Sequence, residues 1–177
     1  VLALAESLDH VGPLTRSSAD AGIVLQAISG HDPNDHTSLP DVAPDMLGEI
    51  DLGVKGVRIG LDEEYITMGV DTELVEAVKA AVCVLEGLGA DIVEVDLPNM
   101  EEYLEAWPVL CSAEAVAAHA ATYPSRRDDY GPWFRDWLDM GARVTGAEYA
   151  RANNLRAALT GILRRAFEDI DLLACPS

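Results

Sequence analysis

The sequence predicts an α/β fold, with one strand-helix-strand unit in its first half and several long helices in its second. Three observations predict it. Val57-Arg58-Ile59-Gly60-Leu61 and Ile92-Val93-Glu94-Val95 are short, β-branched, apolar runs with the look of strands. Between them, Asp71 can cap a helix whose Leu74, Val78, Val82 and Leu85 recur at helical spacing up to Gly87 and Gly89. Beyond Pro98 the helical period dominates. Two strands separated by one helix join most economically as a right-handed crossover, which makes the strands parallel and lays the helix over one face.

Taken in order, the first marked element is a helix over Ser17 to Ser29. Ser17 is its cap, Asp20 the acidic third position and Gly30 its terminator, with Ile23, Val24, Ala27 and Ile28 as the apolar face. From His31 to Ile50 three X-Pro steps break the period, leaving an irregular connection with one helical turn near Asp45 to Glu49. After the crossover unit come helices over Glu101 to about His119, Trp133 to Met140, and a long one opening at Thr145 with Glu148 three residues on. That last helix shows Leu155, Leu159, Ile162, Leu163, Ala166 and Phe167 on one side. Leu172-Leu173-Ala174-Cys175 then reads as a strand before Pro176.

Length and charge narrow the function. The 177 residues suit one unit with one substantial core. Acidic residues outnumber basic ones 31 to 12, and a net charge of −19 repels both nucleic acid and anionic lipid, so neither is expected as a partner. Arg151, Arg156, Arg164 and Arg165 are read as the solvated face of a helix. No apolar run is long enough to span a bilayer, and Val1 to Ala5 lacks the features of a secretory signal. Cys83, Cys111 and Cys175 form no CxxC pair; each sits among apolar residues, so buried, inert thiols in a reducing cytoplasm are expected.

Local chemistry offers few catalytic candidates. Asp9 and His10 are neighbours on an extended segment and point to opposite sides; Asp9 is read as accepting backbone amides near the Gly12-Pro13 turn. Arg16 is read as an ion-pair partner. His31, Asp32, Asp35 and His36 could be metal ligands, but Asp-Pro-Asn-Asp is ordinary turn chemistry, and no metal or cofactor is expected. Glu63, Glu64, Glu101 and Glu102 are read as solvated carboxylates. Trp107, Tyr130, Trp133, Phe134 and Trp137 concentrate the large aromatic residues in one stretch, the composition of a ligand-pocket wall as well as of a core.

Ser7-Leu8-Asp9-His10-Val11-Gly12-Pro13-Leu14-Thr15-Arg16-Ser17, with Leu25-Gln26-Ala27-Ile28-Ser29-Gly30-His31-Asp32-Pro33, resembles the amidase-signature family just downstream of its catalytic serine. The likeness continues through the Gly-Val-Arg-Ile-Gly strand, Gly69-Val70-Asp71, Leu85 to Ala90, Tyr130-Gly131-Pro132 and Asp171 to Ser177, and so covers essentially the whole chain. It implies a portion of the amidase-signature fold and hydrolysis of a small-molecule carboxamide. In such enzymes a serine attacks the carbonyl, a second serine held by a cis peptide relays protons to a lysine, and backbone amides hold the oxyanion.

The resemblance places those residues in a glycine- and serine-rich segment upstream of Ser7, so residues 1–177 are expected to be one incomplete part of a larger amidase domain. Lys55 and Lys79 do not match the family's lysine, and no catalytic residue is assigned. Tyr130 and Trp137 are the substrate-binding candidates. Relatives that hydrolyse glutamine for tRNA-dependent amidation carry a basic pair where Asp136 and Trp137 stand, which favours a less polar amide here. The rival readings are the A subunit of a tRNA-dependent amidotransferase and a non-catalytic interaction module. For the parent enzyme a cytoplasmic location is expected, with a homodimer as the commonest form of soluble oligomer.

Overall fold

The computed structural model describes residues 3–35 and 38–176. Its sheet has three parallel strands in the order β2-β1-β3: β1 is Arg58–Leu61, β2 Asp91–Glu94 and β3 Leu172–Leu173. In register, Ile59 faces Ile92 on one side and Leu172 on the other. The helices are α1 (Ser18–Ile28), α2 (Glu63–Thr67), α3 (Thr72–Gly87), α4 (Glu101–Ala118), α5 (Pro132–Gly141) and α6 (Gly146–Asp169). The expected α/β class and crossover unit are present, and each expected helix agrees to within a residue or two.

The caps explain those boundaries. Ser17, Asp71 and Thr145 each accept a backbone N–H of the first helical turn, and Thr145 with Glu148 closes a reciprocal capping box. One helix is not visible in the periodicity. Asp62 caps α2 by accepting Tyr65 N–H at 2.9 Å, and its second oxygen accepts Leu97 N–H at 2.7 Å. This buried carboxylate joins the exit of β1 to the exit of β2.

The core has two parts. Beside the sheet lie Ile59, Ile66, Val75, Val82, Ala90 and Ile170, all buried. The helical layer is denser, because α4 packs against both α5 and α6. Ala106, Leu110 and Ala152 form its α6 side; Ala115, Tyr123 and Leu138 form its α5 side. The α4–α5 contact is so close that a Cβ on Gly141 would stand 2.1 Å from Ser112 O, so only glycine fits. By contrast, no described residue between Glu6 and Arg58 is buried. The expected apolar face of α1 is not the covered one: Ile23, Val24, Ala27 and Ile28 are all exposed, Ile23 and Ile28 at 55% and 56%, and the helix turns Gly22 and Leu25 inward instead.

Among the described residues no helix is long and apolar enough to cross a membrane. The cysteine expectation needs correction: Cys111 is buried, but Cys83 and Cys175 are exposed. Cys83 follows the buried Val82 on α3 and is carried round to the helix's open side, a rotation that its apolar neighbours did not reveal.

Candidate functional site

The aromatic residues come together where α5 lies on α4. Trp137 is half-buried and has a tryptophan on either side: Trp133 is stacked with it at 5.8 Å and 11°, and Trp107 of α4 is tilted to it at 5.7 Å and 46°. Trp133 and Trp137 are one helical turn apart, so their rings share a face. Trp133 is 74% and Trp107 50% exposed, which leaves aromatic surface open to a ligand. Behind this wall the Trp137 indole N–H and the Ser112 hydroxyl are buried with no hydrogen-bond partner among the described residues. Burial pushes the neighbouring Cys111 thiol up from its ordinary pKa.

Tyr130 stands two residues ahead of α5, on the inner side of the layer. Its ring stacks on Phe134 and packs into the α4–α5 core. Its hydroxyl is held by His119 Nδ1 at 3.0 Å and by Thr122 Oγ1. His119 Nε2 donates to Ala3 O at 3.1 Å, since a carbonyl can only accept, and this leaves Nδ1 to meet the Tyr130 hydroxyl. Tyr130, just before α5, and Trp137, on it, thus present different chemistry, an engaged hydroxyl and an open ring face. Sequence reasoning missed this hydrogen-bonded chain, because His119 and Ala3 are 116 residues apart.

Two further polar knots fix the layer. Arg127 reaches Asp139 through both terminal nitrogens, at 2.8 and 2.7 Å, and Tyr123 also donates to Asp139. The Arg127 guanidinium and the Tyr123 hydroxyl hold the Asp139 carboxyl down at about 2. Glu114 of α4 accepts from Ser7 N–H at 2.9 Å, Ser7 O–H at 2.5 Å and Tyr149 O–H at 2.9 Å. Burial acts to raise Glu114, but these bonds and the charge of Arg156 hold its pKa below the ordinary value. Ser7 is thereby anchored to both α4 and α6.

The other candidates take structural roles. Asp9 does accept backbone amides, but those of Leu4 and Ala5 at 2.8 and 3.2 Å, not those of the Gly12-Pro13 turn. His10 donates from Nδ1 to Leu8 O at 2.7 Å. No ion pair of Arg16 is found among the described residues. Asp32 accepts Asn34 N–H at 2.9 Å in the expected turn, and the described residues contain no metal-binding group of three such side chains. His36 lies outside the described residues. Lys79 pairs with Glu63 at 2.6 Å, and Lys55 lies against Gly89. Neither lysine bonds a serine among the described residues.

A groove of about 720 Å³ runs between α2 and the first turns of α4, lined by Met68, Asn99, Glu101, Leu104, Glu105 and Pro108. Leu104 and Pro108 supply apolar wall, and Glu101 and Glu105 its acidic rim.

The chain and its arrangement of helices over a parallel sheet match known proteins. The family model described as amidase matches residues 1–177. The chain is 33% identical to the A component of the glutamyl-tRNA(Gln) amidotransferase of a Geobacter species, over 99% of this chain and 41% of that protein. It is 34% identical to an amidase of Pseudomonas putida, over 100% of this chain and 38% of the relative. A bacterial aryl acylamidase of the amidase-signature enzymes superimposes with a TM-score of 0.76 at 28% identity, over 94% of this chain and 37% of that one. The chain thus spans about two fifths of the length of the curated relatives it matches. Through these 177 residues the chain belongs to the amidase family, the amidase-signature enzymes.

Proposed function

We propose that this chain is scaffold and pocket wall of an amidase that hydrolyses a carboxamide to a carboxylate and ammonia or an amine. In this reading residues 1–177 are one unit of a larger amidase domain. A serine, a cis-peptide serine and a lysine outside these residues carry the reaction. Tyr130 and Trp137 line the acyl pocket. The observation that carries the preference for a weakly polar amide is the tryptophan wall. Trp137 stands between Trp107 and Trp133, where glutamine-using relatives would need a cation for the substrate carboxylate. Aromatic faces of this kind gain from burying apolar groups and offer no partner to a carboxylate. The parent enzyme would work in the cytoplasm on a small molecule, with no nucleic acid or membrane partner, and a homodimer is its expected oligomer.

The second reading, the amidase component of a tRNA-dependent amidotransferase, is favoured by the 33% identity to such a protein. One assay separates the two. The enzyme containing this chain is offered aryl amides, aliphatic amides and glutamine, the last with and without tRNA and partner proteins. The amidase reading expects the aryl amides to be cleaved best, Trp137→Ala to raise their KM about tenfold, and a serine-modifying inhibitor to abolish turnover. Glutamine hydrolysis stimulated by tRNA and partners would overturn it in favour of the second reading. The 177 residues alone should cleave none of these substrates.

A further inference from the structure

Among the described residues from 3 to 57 only Ala5 is buried, and the arm that includes α1 is lightly packed. The turn over residues 3–9 is the exception, held by side chains from far along the chain. His119 Nε2 donates to Ala3 O at 3.1 Å. The exposed Ser7 is held through every polar atom it has. Glu114 accepts its N–H at 2.9 Å and its O–H at 2.5 Å, while Arg156 Nη1 donates to its Oγ at 2.6 Å and to its carbonyl O at 3.3 Å. Tyr149 O–H, at 2.9 Å, shares Glu114 Oε1 with the Ser7 hydroxyl.

An exposed serine can satisfy its polar groups with water, so these side chains of α4 and α6 do not serve to spare it a burial cost. What they fix is position. Hydrogen bonds to ionised groups are about twice as strong as neutral ones. Here a carboxylate and a guanidinium meet on one residue, so the turn cannot slide along α4 without breaking both sets of bonds. Glu114 and Trp107 lie seven residues apart on α4, about 10 Å along its axis, so one helix carries both the clamp and an edge of the tryptophan wall.

We propose that Glu114 is a positioning residue for the hydrolysis: it pins Ser7 to α4 and α6 and so holds the segment leading into Ser7 at a set distance from the tryptophan wall. This rests on the amidase reading above, in which the attacking serine lies upstream of Ser7. Attack needs the reacting atoms within about 3.5 Å, and a displacement of about 1 Å can cost about a hundredfold in rate. Binding of the amide to the wall does not pass through Ser7, so loss of the clamp lowers kcat and spares KM.

The test uses the enzyme containing this chain. Wild type, Glu114→Ala, Glu114→Gln and Ser7→Ala are assayed well below their Tm values, and amide hydrogen exchange is measured on the same preparations. Glu114→Ala should speed exchange at residues 4–9 at least tenfold, leave α5 as protected as in wild type, and lower kcat at least tenfold with KM within twofold. The Gln side chain keeps an oxygen that can accept but loses the charge, so Glu114→Gln should recover part of both effects. Ser7→Ala removes one hydroxyl at an exposed position and should lower kcat less than Glu114→Ala. A Glu114 that only stabilised the fold would lower Tm in Glu114→Ala and leave kcat within twofold, which would overturn the proposal. So would unchanged exchange at residues 4–9, or a rise in KM as large as the fall in kcat. If tRNA-stimulated glutamine hydrolysis proves to be the reaction, the amidase reading fails, and the same split between kcat and KM on glutamine still decides for or against the clamp.

Discussion

The helical layer and the arm that precedes the sheet use the same kinds of residue to opposite effect. Leu138 and Ala115 are fully buried between α4 and α5, whereas the apolar face of α1 stays open although it is equally apolar and properly capped. Amphipathic pattern and capping determine that a helix forms; they do not determine that its face is covered. Coverage requires a partner surface at matching spacing, which α4 supplies to α5. The 46–47 turn supplies α1 with little more than the Gln26 side chain's bond to Met46 N–H and Leu47 against Gly22.

Three substitutions sharpen the contrast. The largest effect is expected at Gly141→Ala. Its new methyl meets the Ser112 backbone, which cannot rotate away, so overpacking should cost about 3 kcal/mol, read from denaturant unfolding. A loss under about 1 kcal/mol would show that the α4–α5 contact can give.

Next is Asp139→Asn, through pH. The Asp139 carboxyl is lowered from its ordinary 3.8 to about 2 by Arg127 and Tyr123, so its contribution is fully present above about pH 4. That contribution is lost as pH falls through about 2. Wild-type Tm should therefore exceed that of Asp139→Asn at neutral pH, and the two curves should converge toward pH 2. Parallel curves would place the stabilisation elsewhere.

The smallest effect belongs to the arm. Ile23→Ser should change stability by no more than about 0.5 kcal/mol, since its side chain is already more than half exposed. A cost of about 2 kcal/mol, the size expected for a covered apolar side chain, would mean that another surface covers α1, and the contrast between the two regions would fail.

How far the sequence could be read follows the same division. The helices from α3 onward, the crossover unit and the Thr145–Glu148 box were legible because each rests on contacts within a few residues. The placement of the candidate site was not. That Trp107 meets Trp137 depends on how α4 crosses α5, which Gly141 decides. That Ser7 is anchored by Glu114, Tyr149 and Arg156 depends on three elements meeting. Nothing in the sequence separates Asp62 from the neighbouring Glu63 and Glu64, yet it is the buried one that caps α2 and holds Leu97. The tryptophans could be named from the sequence; which of their faces is open could not.

The order of the three strands also governs the sequence of events during folding. Strand β1 finds its first neighbour only 33 residues downstream, where Ile59 pairs with Ile92. Its other side waits for β3, where Arg58 binds Asp171 across 113 residues of chain. Closing the longer loop costs about 1 kcal/mol more in chain entropy. On a ribosome β1 and β2 can pair early, with β1's second edge open until every helix from α4 to α6 has been made. The Arg58–Asp171 clamp is therefore the last stitch, and a pause in translation before residue 171 would leave that edge free to pair with another chain.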